Sequence, residues 1–219
     1  MTIRLHYTEK MNELERTIMK MGCLVVKALE RSMEALVNQD GGLANQVIKA
    51  DRKINELEID INNQCTRMIA EEQPVAKDLR IIINAFKMSH SLERIGDNAV
   101  HIAKSTIILS KEPYMKPLID IPRMADIAIG MLKDSLDAYA RLDCEIAIQI
   151  SKRDIKVDDL YSQIFRELIT YMHEDPSKIS QAMTLLFICR RLERVADQST
   201  HICEGVHFVA KAEHVELNP

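Results

Sequence analysis

The chain lacks tryptophan, and its few Tyr and Phe residues leave it with only 4% aromatic side chains. Its apolar residues are instead Leu, Ile, Val, Ala and 12 Met. Aromatic residues are enriched in strands, whereas Leu, Ala and Met favour helices. The composition therefore predicts helix interiors rather than sheets.

The chain also lacks an excess of positive charge. Its 29 Lys and Arg residues stand against 33 Asp and Glu, which gives a formal net charge of −4. Binding to a nucleic-acid backbone requires a basic face, and the sequence has neither a Lys/Arg run nor interleaved aromatic residues. Anionic lipid is disfavoured for the same reason. We therefore expect no nucleic-acid partner.

Long apolar segments are absent as well. The first residues carry no apolar core of a signal peptide. The longest apolar run, at 183–189, is far shorter than the roughly 20 residues that span a bilayer. The 5 cysteines are scattered and form no CxxC motif, which is typical of buried thiols in a reducing compartment. These features predict a cytoplasmic protein.

Glycine and proline are rare, and they cluster at a few breaks. The breaks are the turn predicted at Gly41-Gly42, Pro74, the linker with Pro113, Pro117 and Pro122, and the loop at Asp175-Pro176. Between them, apolar residues recur at the spacing of an amphipathic helix. The pattern predicts six helices, over residues 9–38, 43–71, 76–110, 121–141, 144–174 and 178–211.

Two of the predicted helices carry apolar residues at alternating spacings of three and four. Such spacing forms the narrow seam of a left-handed helical bundle. In the third helix the seam is Ile81, Ala85, Met88, Leu92, Ile95, Ala99 and Ile102. In the sixth it is Leu185, Ile188, Leu192, Val195, Ser199, Ile202, Val206 and Val209. We therefore expect antiparallel bundles of three helices.

The sequence repeats itself. Residues 92–102, LERIGDNAVHI, align with residues 192–202, LERVADQSTHI, at an offset of 100. Earlier segments, in which Asp51 falls on Asp154, align at an offset of 103. A repeat in register across three helices indicates duplicated halves. The predicted fold is all-α, with two tandem three-helix bundles over residues 1–112 and 113–219.

Each half carries an acidic stripe on its last helix. Glu93, Asp97 and His101 lie at i, i+4 and i+8, displaced from the apolar seam. The same three residue types recur at Glu193, Asp197 and His201. Glu and Asp four residues apart on a helix repel each other, so a pair that persists in both halves indicates a bound cation. Carboxylates beside an imidazole suit iron, manganese or zinc.

The second and fifth helices offer facing residues. Asp51, Asn55 and Glu58 lie beside the seam of the second helix. Their counterparts in the fifth helix are Asp154, Asp158 and Tyr161. If each of these helices packs beside the one that follows, its acids approach the stripes described above. The predicted metal ligands are Asp51, Glu93, Asp97 and His101 in the first half and Asp154, Asp158, Glu193, Asp197 and His201 in the second.

Other interpretations are open at this point. A charged stripe is most often a solvated helix face. A metal-dependent carboxylate-bundle enzyme is an alternative, supported by the ExxH pair Glu204 and His207, which is half of a di-iron motif. His101 followed by Lys104 is similar to a phosphotransfer histidine, but Glu204 stands at the second-half position of Lys104. No phosphate loop or nucleophile elbow is present, so the sequence does not support a phosphate-handling ATPase.

Five motifs together resemble the PhoU family. They are LERIGD at 92–97, LERVAD at 192–197, DLR at 78–80, NQD at 38–40 and YMHED at 171–175. The resemblance extends from Leu14 to Glu204 and includes the order of the motifs, the duplication and the linker. It implies two three-helix bundles per chain, usually paired as a homodimer.

The resemblance also implies a metal site. Some members of the family carry multinuclear iron or zinc clusters on Glu/Asp-xxx-Asp motifs. In this sequence Asp51 fits the motif, but Asn55 replaces its second acid, and a neutral amide binds a cation less strongly than a carboxylate. The complete pairs are Glu93 with Asp97, Asp154 with Asp158, and Glu193 with Asp197.

The function that the resemblance implies is regulatory and non-enzymatic. PhoU proteins act when phosphate is plentiful, and they look like adaptors between the phosphate ABC transporter, especially its ATPase subunit, and a membrane-bound sensor histidine kinase. The expected result is restraint of phosphate uptake and repression of phosphate-starvation genes. The membrane would then be reached only through these protein partners.

Overall fold

The structure is a computed structural model that describes residues 2–217, with side chains from residue 6. The helices are α1 (Thr2–Asn38), α2 (Gly41–Ala50), α3 (Arg52–Glu72), α4 (Ala76–Leu109), α5 (Asp120–Arg141), α6 (Cys144–Ser151), α7 (Asp154–Glu174) and α8 (Ile179–Lys211). A short 3-10 turn, Pro176–Lys178, precedes α8, and the described residues contain no strand. The predicted all-α fold is confirmed. None of the described helices combines the length and apolar content needed to cross a bilayer.

The helices form two bundles. In the first half α1, α3 and α4 pack together, and the short α2 packs against α1 and α4. In the second half α5, α7 and α8 pack together, and the short α6 packs against α5 and α8. The halves meet mainly through α4 and α8, with a smaller contact between α1 and α5. The two helices that carry the acidic stripes therefore also join the halves.

The predicted seams lie in the core. Every seam residue of α8 is buried, and in α4 all are buried except Ile81, which is half-buried beside the fully buried Ile82. Leu92 and Leu192, which the repeat aligns, are both fully buried. Because the seams face inward, the acidic stripes of α4 and α8 lie outside the two cores.

Two of the six predicted helices are interrupted. The second is divided at Asp51 into α2 and α3, and the fifth is divided at residues 152–153 into α6 and α7. Asp51 keeps helical backbone angles, with φ at −57° and ψ at −33°. The breaks contain neither Gly nor Pro, and the apolar spacing continues through the first of them from Val47 to Ile54. The sequence therefore carries no local signal for a break. The first helix also begins earlier than predicted, at Thr2.

The turn predicted at Gly41-Gly42 was wrong. Both glycines lie in the first turn of α2, and the chain turns instead at Gln39, whose φ is 52°. Asp40 caps α2 by accepting a hydrogen bond from Leu43 N at 2.9 Å. The second half has the same backbone geometry without a glycine. Leu142, which follows α5, also has a φ of 52°. A left-handed residue after a helix is a common way to end it.

The linker between α4 and α5 is fixed to both halves. Tyr114 Oη donates a hydrogen bond to Leu36 O in α1 at 2.5 Å. The buried Gln181 of α8 accepts a hydrogen bond from Met115 N at 2.6 Å and donates one to Pro113 O at 3.0 Å. The predicted division between residues 112 and 113 falls in this linker, and of these bonds the one from Tyr114 to Leu36 crosses it.

Candidate functional site

In the first half, α3 packs beside α4 and carries Asp51 toward the acidic stripe. Asp51 Oδ2 accepts a long hydrogen bond from Asn55 Nδ2 at 3.4 Å. Burial raises the pKa of Asp51, and the negative charge of Asp97 raises it further. Gly96 leaves room for this approach, since a Cβ at that position would lie 3.4 Å from Asp51 Oδ1. Asp51 and Asp97 therefore interact across the α3–α4 contact.

Three potential metal ligands converge further along the same two helices. Glu58 of α3 and His90 and Glu93 of α4 each offer a ligand atom, and these atoms lie within 4.8 Å of one another. His90 Nδ1 lies 3.4 Å from Glu58 Oε1, and Arg94 Nε donates to His90 Nε2 at 3.2 Å. Because Nε2 is the acceptor, the proton of a neutral His90 lies on Nδ1. A cation bound at Nδ1 would replace that proton.

The carboxylate of Glu93 links this group to the stripe. Burial raises the pKa of Glu93, and the charges of Asp97 and Glu58 raise it further, whereas His90 and Arg94 lower it. A bound divalent cation would relieve the repulsion between these acids. Glu93 therefore belongs to both the predicted stripe and the observed group.

His90 was not among the predicted ligands, although the sequence contains a signal for it. His90 precedes Glu93 by three residues, a spacing that places two side chains on the same helix face. The predicted stripe ran in the other direction, from Glu93 toward His101. Glu58 was recognised beside its seam but was not selected, because spacing along one helix does not reveal which residues of the next helix it meets.

In the second half, α7 and α8 bring four carboxylates into one electrostatic group. Asp154 is fully buried, and burial, followed by the charges of Asp158, Asp197 and Glu193, raises its pKa to about 7. Burial also raises the pKa of Asp158, with Glu193 as the next cause. The pKa of Asp197 is raised by burial and then by Asp158. These four predicted residues therefore interact across the α7–α8 contact.

The second half replaces the histidine of the first with a fixed charge. The repeat places Tyr161 at the position of Glu58 and Arg190 at the position of His90. Arg190 forms an ion pair with Glu193. A guanidinium group therefore occupies, beside Glu193, the place that a metal ion would take beside Glu93.

The two histidines predicted as ligands lie at the contact between α4 and α8. Burial lowers the pKa of His101, and the positive charges of Arg191 and Lys104 lower it further. His201 lies in the wall of a cavity that also includes Arg94. Positively charged neighbours do not favour metal binding, but each histidine also interacts with an acid of its own stripe, His101 with Asp97 and His201 with Asp197. Both histidines therefore stay predicted ligands.

The ExxH pair holds the end of the described chain. Glu204 Oε1 accepts a hydrogen bond from Leu217 N at 3.0 Å. The Nδ1 atom of His207 lies 3.4 Å from the carbonyl oxygen of Glu213. These contacts give the pair a structural use, and its position adds no support to a di-iron centre.

The fold and the site together define the class of this protein. It is a tandem helical-repeat protein, made of two duplicated three-helix bundles that each carry an acidic face. The PhoU domain matches residues 18–106 and again residues 121–206, once in each half. The chain therefore belongs to the PhoU family.

Relatives and a solved structure agree over nearly the whole chain. The chain is 39% identical over 213 residues to a phosphate-specific transport system accessory protein PhoU homolog of Clostridium acetobutylicum, covering 97% of each. It is 40% identical over 208 residues to the protein of that name from Aquifex aeolicus, covering 95% of this chain and 94% of the relative. The crystal structure of PhoU from Pseudomonas aeruginosa, at 35% identity, gives a TM-score of 0.92 and covers 94% of this chain and 100% of its own. The resemblance drawn from the motifs is confirmed.

Proposed function

We propose that the protein is a non-enzymatic regulator of phosphate uptake that works with a phosphate-specific transport system. The observation that carries this proposal is the double PhoU match, supported by nearly full-length relatives whose names assign them to that system. The regulation is negative: when phosphate is plentiful, the protein restrains uptake and represses phosphate-starvation genes.

The proposed partners are the ATPase subunit of the phosphate ABC transporter and a sensor histidine kinase. The protein acts as an adaptor between them in the cytoplasm, as a homodimer, and it reaches the membrane only through these proteins. The family resemblance supports this arrangement. The net charge of −4 is consistent with it, because direct binding to anionic lipid requires basic residues.

The acidic faces are proposed to bind first-row divalent metal ions. The donor sets fit such ions: carboxylate oxygens suit hard cations, and an imidazole adds preference for iron, manganese or zinc. The first-half ligands would be Glu58, His90 and Glu93, with Asp51 and Asp97 further along the stripe. The second-half ligands would be Asp154, Asp158, Glu193 and Asp197. The family resemblance favours iron or zinc in multinuclear form.

The contribution of these residues follows from their placement on separate helices. A bound cation supplies positive charge between facing carboxylates. Glu58 and Glu93 would then hold α3 against α4, and Asp158 and Glu193 would hold α7 against α8. A bound cation would make the surface offered to a protein partner less negative, so metal occupancy would alter partner binding.

Deletion and complementation test the proposed function. Deleting the gene should raise phosphate uptake and phosphate-starvation reporter expression in high phosphate, and the intact gene should restore both to low levels. Unchanged uptake and reporter expression after deletion would contradict the regulatory role. A second test is complementation by an Asp97→Ala/Asp197→Ala variant that contains no metal. If this variant restores full regulation, the protein is a regulator but its metal is not required for regulation.

A further inference from the structure

A cavity of about 500 Å³ lies where the two halves meet. Helix α4 contributes Asn84, Lys87 and Arg94 to its wall, α8 contributes His201 and Phe208, and the tail after α8 contributes His214 and Val215. Cavities of roughly 300–1,000 Å³ are typical of small-molecule sites. A ligand in this cavity would contact both halves of the chain at once.

The wall is rich in groups that bind anions. Lys87 and Arg94 supply permanent positive charges, and His201 and His214 are two of the 7 histidines in the chain. Arg94 donates one hydrogen bond, to His90, and its guanidinium group has further N–H donors. In the described part of the chain, neither Lys87 nor Arg94 forms an ion pair with a carboxylate. Apart from the Arg94 hydrogen bond to His90, the N–H donors of both side chains can therefore bind a ligand.

The tail makes a defined wall and engages the acidic residue of the cavity. Glu204 Oε1 accepts the hydrogen bond from Leu217 N, which directs the carboxylate to the tail. The ring of His214 stacks on Phe208 with 4.4 Å between centroids. Lys87 Nζ lies 5.8 Å from the centroid of the same Phe208 ring. The contact with Phe208 holds the Lys87 ammonium group at the cavity. The carboxylate of Glu204 is bound to the tail and does not pair with Lys87 in the described part of the chain.

A buried amide, that of Asn84, lies in the wall. Asn84 is 3% exposed, and its Nδ2 atom has no hydrogen-bond partner among the residues that the structure describes. Asn84 Oδ1 packs against α8 at Gly205, where a Cβ would come within 2.1 Å of that oxygen. Because Gly205 has no side chain, the Asn84 amide fits between α4 and α8. Buried donors without acceptors are rare in folded proteins, and an oxygen of a bound ligand is the kind of acceptor that Asn84 lacks.

We propose that this cavity binds a small organic anion. Lys87 and Arg94 would take its phosphate or carboxylate group, Asn84 Nδ2 would donate to one of its oxygens, and Phe86 and Val215 would contact its apolar part. An inorganic anion alone would leave most of the 500 Å³ empty and these apolar residues without contact. The cavity is separate from the second-half acids and shares only His90 with the Glu58–His90–Glu93 group. The proposal is independent of the regulatory role, and it is tested on metal-free protein because Arg94 donates to the shared His90.

Calorimetric titration of the full chain with AMP, adenosine and inorganic phosphate tests this proposal. AMP combines an oxyanion with an apolar body, and each of the other two probes has one of these parts. We expect AMP to bind at least about tenfold more tightly than either, because a charge-assisted hydrogen bond contributes about that factor to affinity. Phosphate that binds as tightly as AMP would overturn the proposal, as would an absence of AMP binding.

The internal repeat supplies a matched control. Lys87→Gln with Arg94→Gln removes both charges from the cavity, whereas Arg194→Gln removes a charge at the repeat-related position, which is outside the cavity wall. All three side chains are exposed, so we expect the melting temperature to be unchanged. The double variant should lose AMP affinity by about tenfold or more, and Arg194→Gln should retain it. Equal AMP affinity in the wild type and both variants would overturn the proposal.

Discussion

Asp51 packs directly on Gly96. A Cβ at Gly96 would lie 3.4 Å from Asp51 Oδ1 and 3.3 Å from the Cδ1 and Cγ2 atoms of Ile54. The missing side chain thus lets the start of α3 lie close against α4. The second half has Ala196 at the matching position, so the repeated architecture accepts one methyl group there.

The size of the residue at position 96 should control this contact. Gly96→Val should lower the free energy of unfolding by about 1–3 kcal/mol, because its branched side chain overpacks against Ile54 and Asp51. Gly96→Ala is the control and should have a smaller effect, since the higher helix propensity of alanine offsets its crowding. Urea unfolding of the metal-free proteins measures both. Equal losses in the two variants would argue against a steric cause.

The raised pKa of Asp154, about 7, predicts how stability depends on pH. An aspartate in the unfolded chain has a pKa of about 3.9. Between about pH 4 and pH 7 the folded state therefore binds more protons than the unfolded state. The metal-free protein should therefore lose stability as the pH rises through this range, by on the order of a few kcal/mol, and change little above it. Chemical unfolding at several pH values measures this profile.

Substitution tests whether Asp154 is the source of that profile. Asp154→Asn removes the titrating group, so it should flatten the decline and make the protein more stable than the wild type at alkaline pH. Asp159→Asn alters an exposed acid on the same helix and should keep the profile of the wild type. An Asp154→Asn protein whose stability falls with pH as steeply as the wild type would refute this assignment.

The acids should differ in their contribution to metal content. Asp97→Ala and Asp197→Ala should reduce bound metal more than Asp51→Ala, because the neutral Asn55 accompanies Asp51 and takes part of its hydrogen-bonding capacity. Elemental analysis of protein purified without a His-tag gives the metal content per chain. Equal losses from the three variants would argue against this order.

The difference between the halves can be reversed by exchange. Tyr161→Glu with Arg190→His would give the second half the residue types of Glu58 and His90, beside an unchanged Glu193. We expect zinc binding to rise by about one ion per chain, since two carboxylates and an imidazole leave one position of a tetrahedral zinc site to water. Titration with zinc and a competing chelator measures the number of ions bound.

Two controls accompany this exchange. Arg190→His alone lacks the second carboxylate and should bind less zinc than the double variant. Glu58→Gln with His90→Gln should remove one ion from the first half. If neither double variant changes the number of zinc ions, the three-residue group is not a zinc site.

The linker should depend on Gln181. Gln181→Ala leaves Met115 N and Pro113 O without their partner, which should cost about 1–3 kcal/mol of stability. Trypsin should then cut faster after Lys111, in the released linker. Gln163→Ala is the control, because it removes only the exposed hydrogen bond to Asp120 at 3.3 Å. Equal cleavage rates in the two variants would show that Gln181 does not hold the linker.

Much of the fold could be predicted because a strict apolar spacing allows only one rotation of a helix. Leu92, Ile95 and Ala99 define which side of α4 faces the core, and the structure agrees. The breaks at Asp51 and at residues 152–153 could not be predicted in this way. Their backbone contains no Gly or Pro, and the core-facing residues Val47 and Ile54 keep helical spacing across Asp51.

The candidate site could be predicted only in part. The pairing of Asp154 with Asp197 follows once α7 is placed beside α8, because each acid lies next to a known seam. The contact between Glu58 and His90 depends on how α3 is shifted along α4, and spacing within either helix carries no such information. The cavity at Asn84 lies between halves that are far apart in sequence, and no local pattern indicates it.

The two halves can carry different residues, His90 in one and Arg190 in the other, because the repeats are covalently joined in one chain. An assembly of two identical single-repeat chains would have to carry the same residue at both positions, so its two faces would bind ions with equal affinity. One continuous chain is free of that symmetry. Glu193 has a permanent counter-ion in Arg190, whereas Glu93 would share an ion taken from solution with Glu58 and His90. Removal of metal would therefore change the charge at this one pair of matching positions in the first half only.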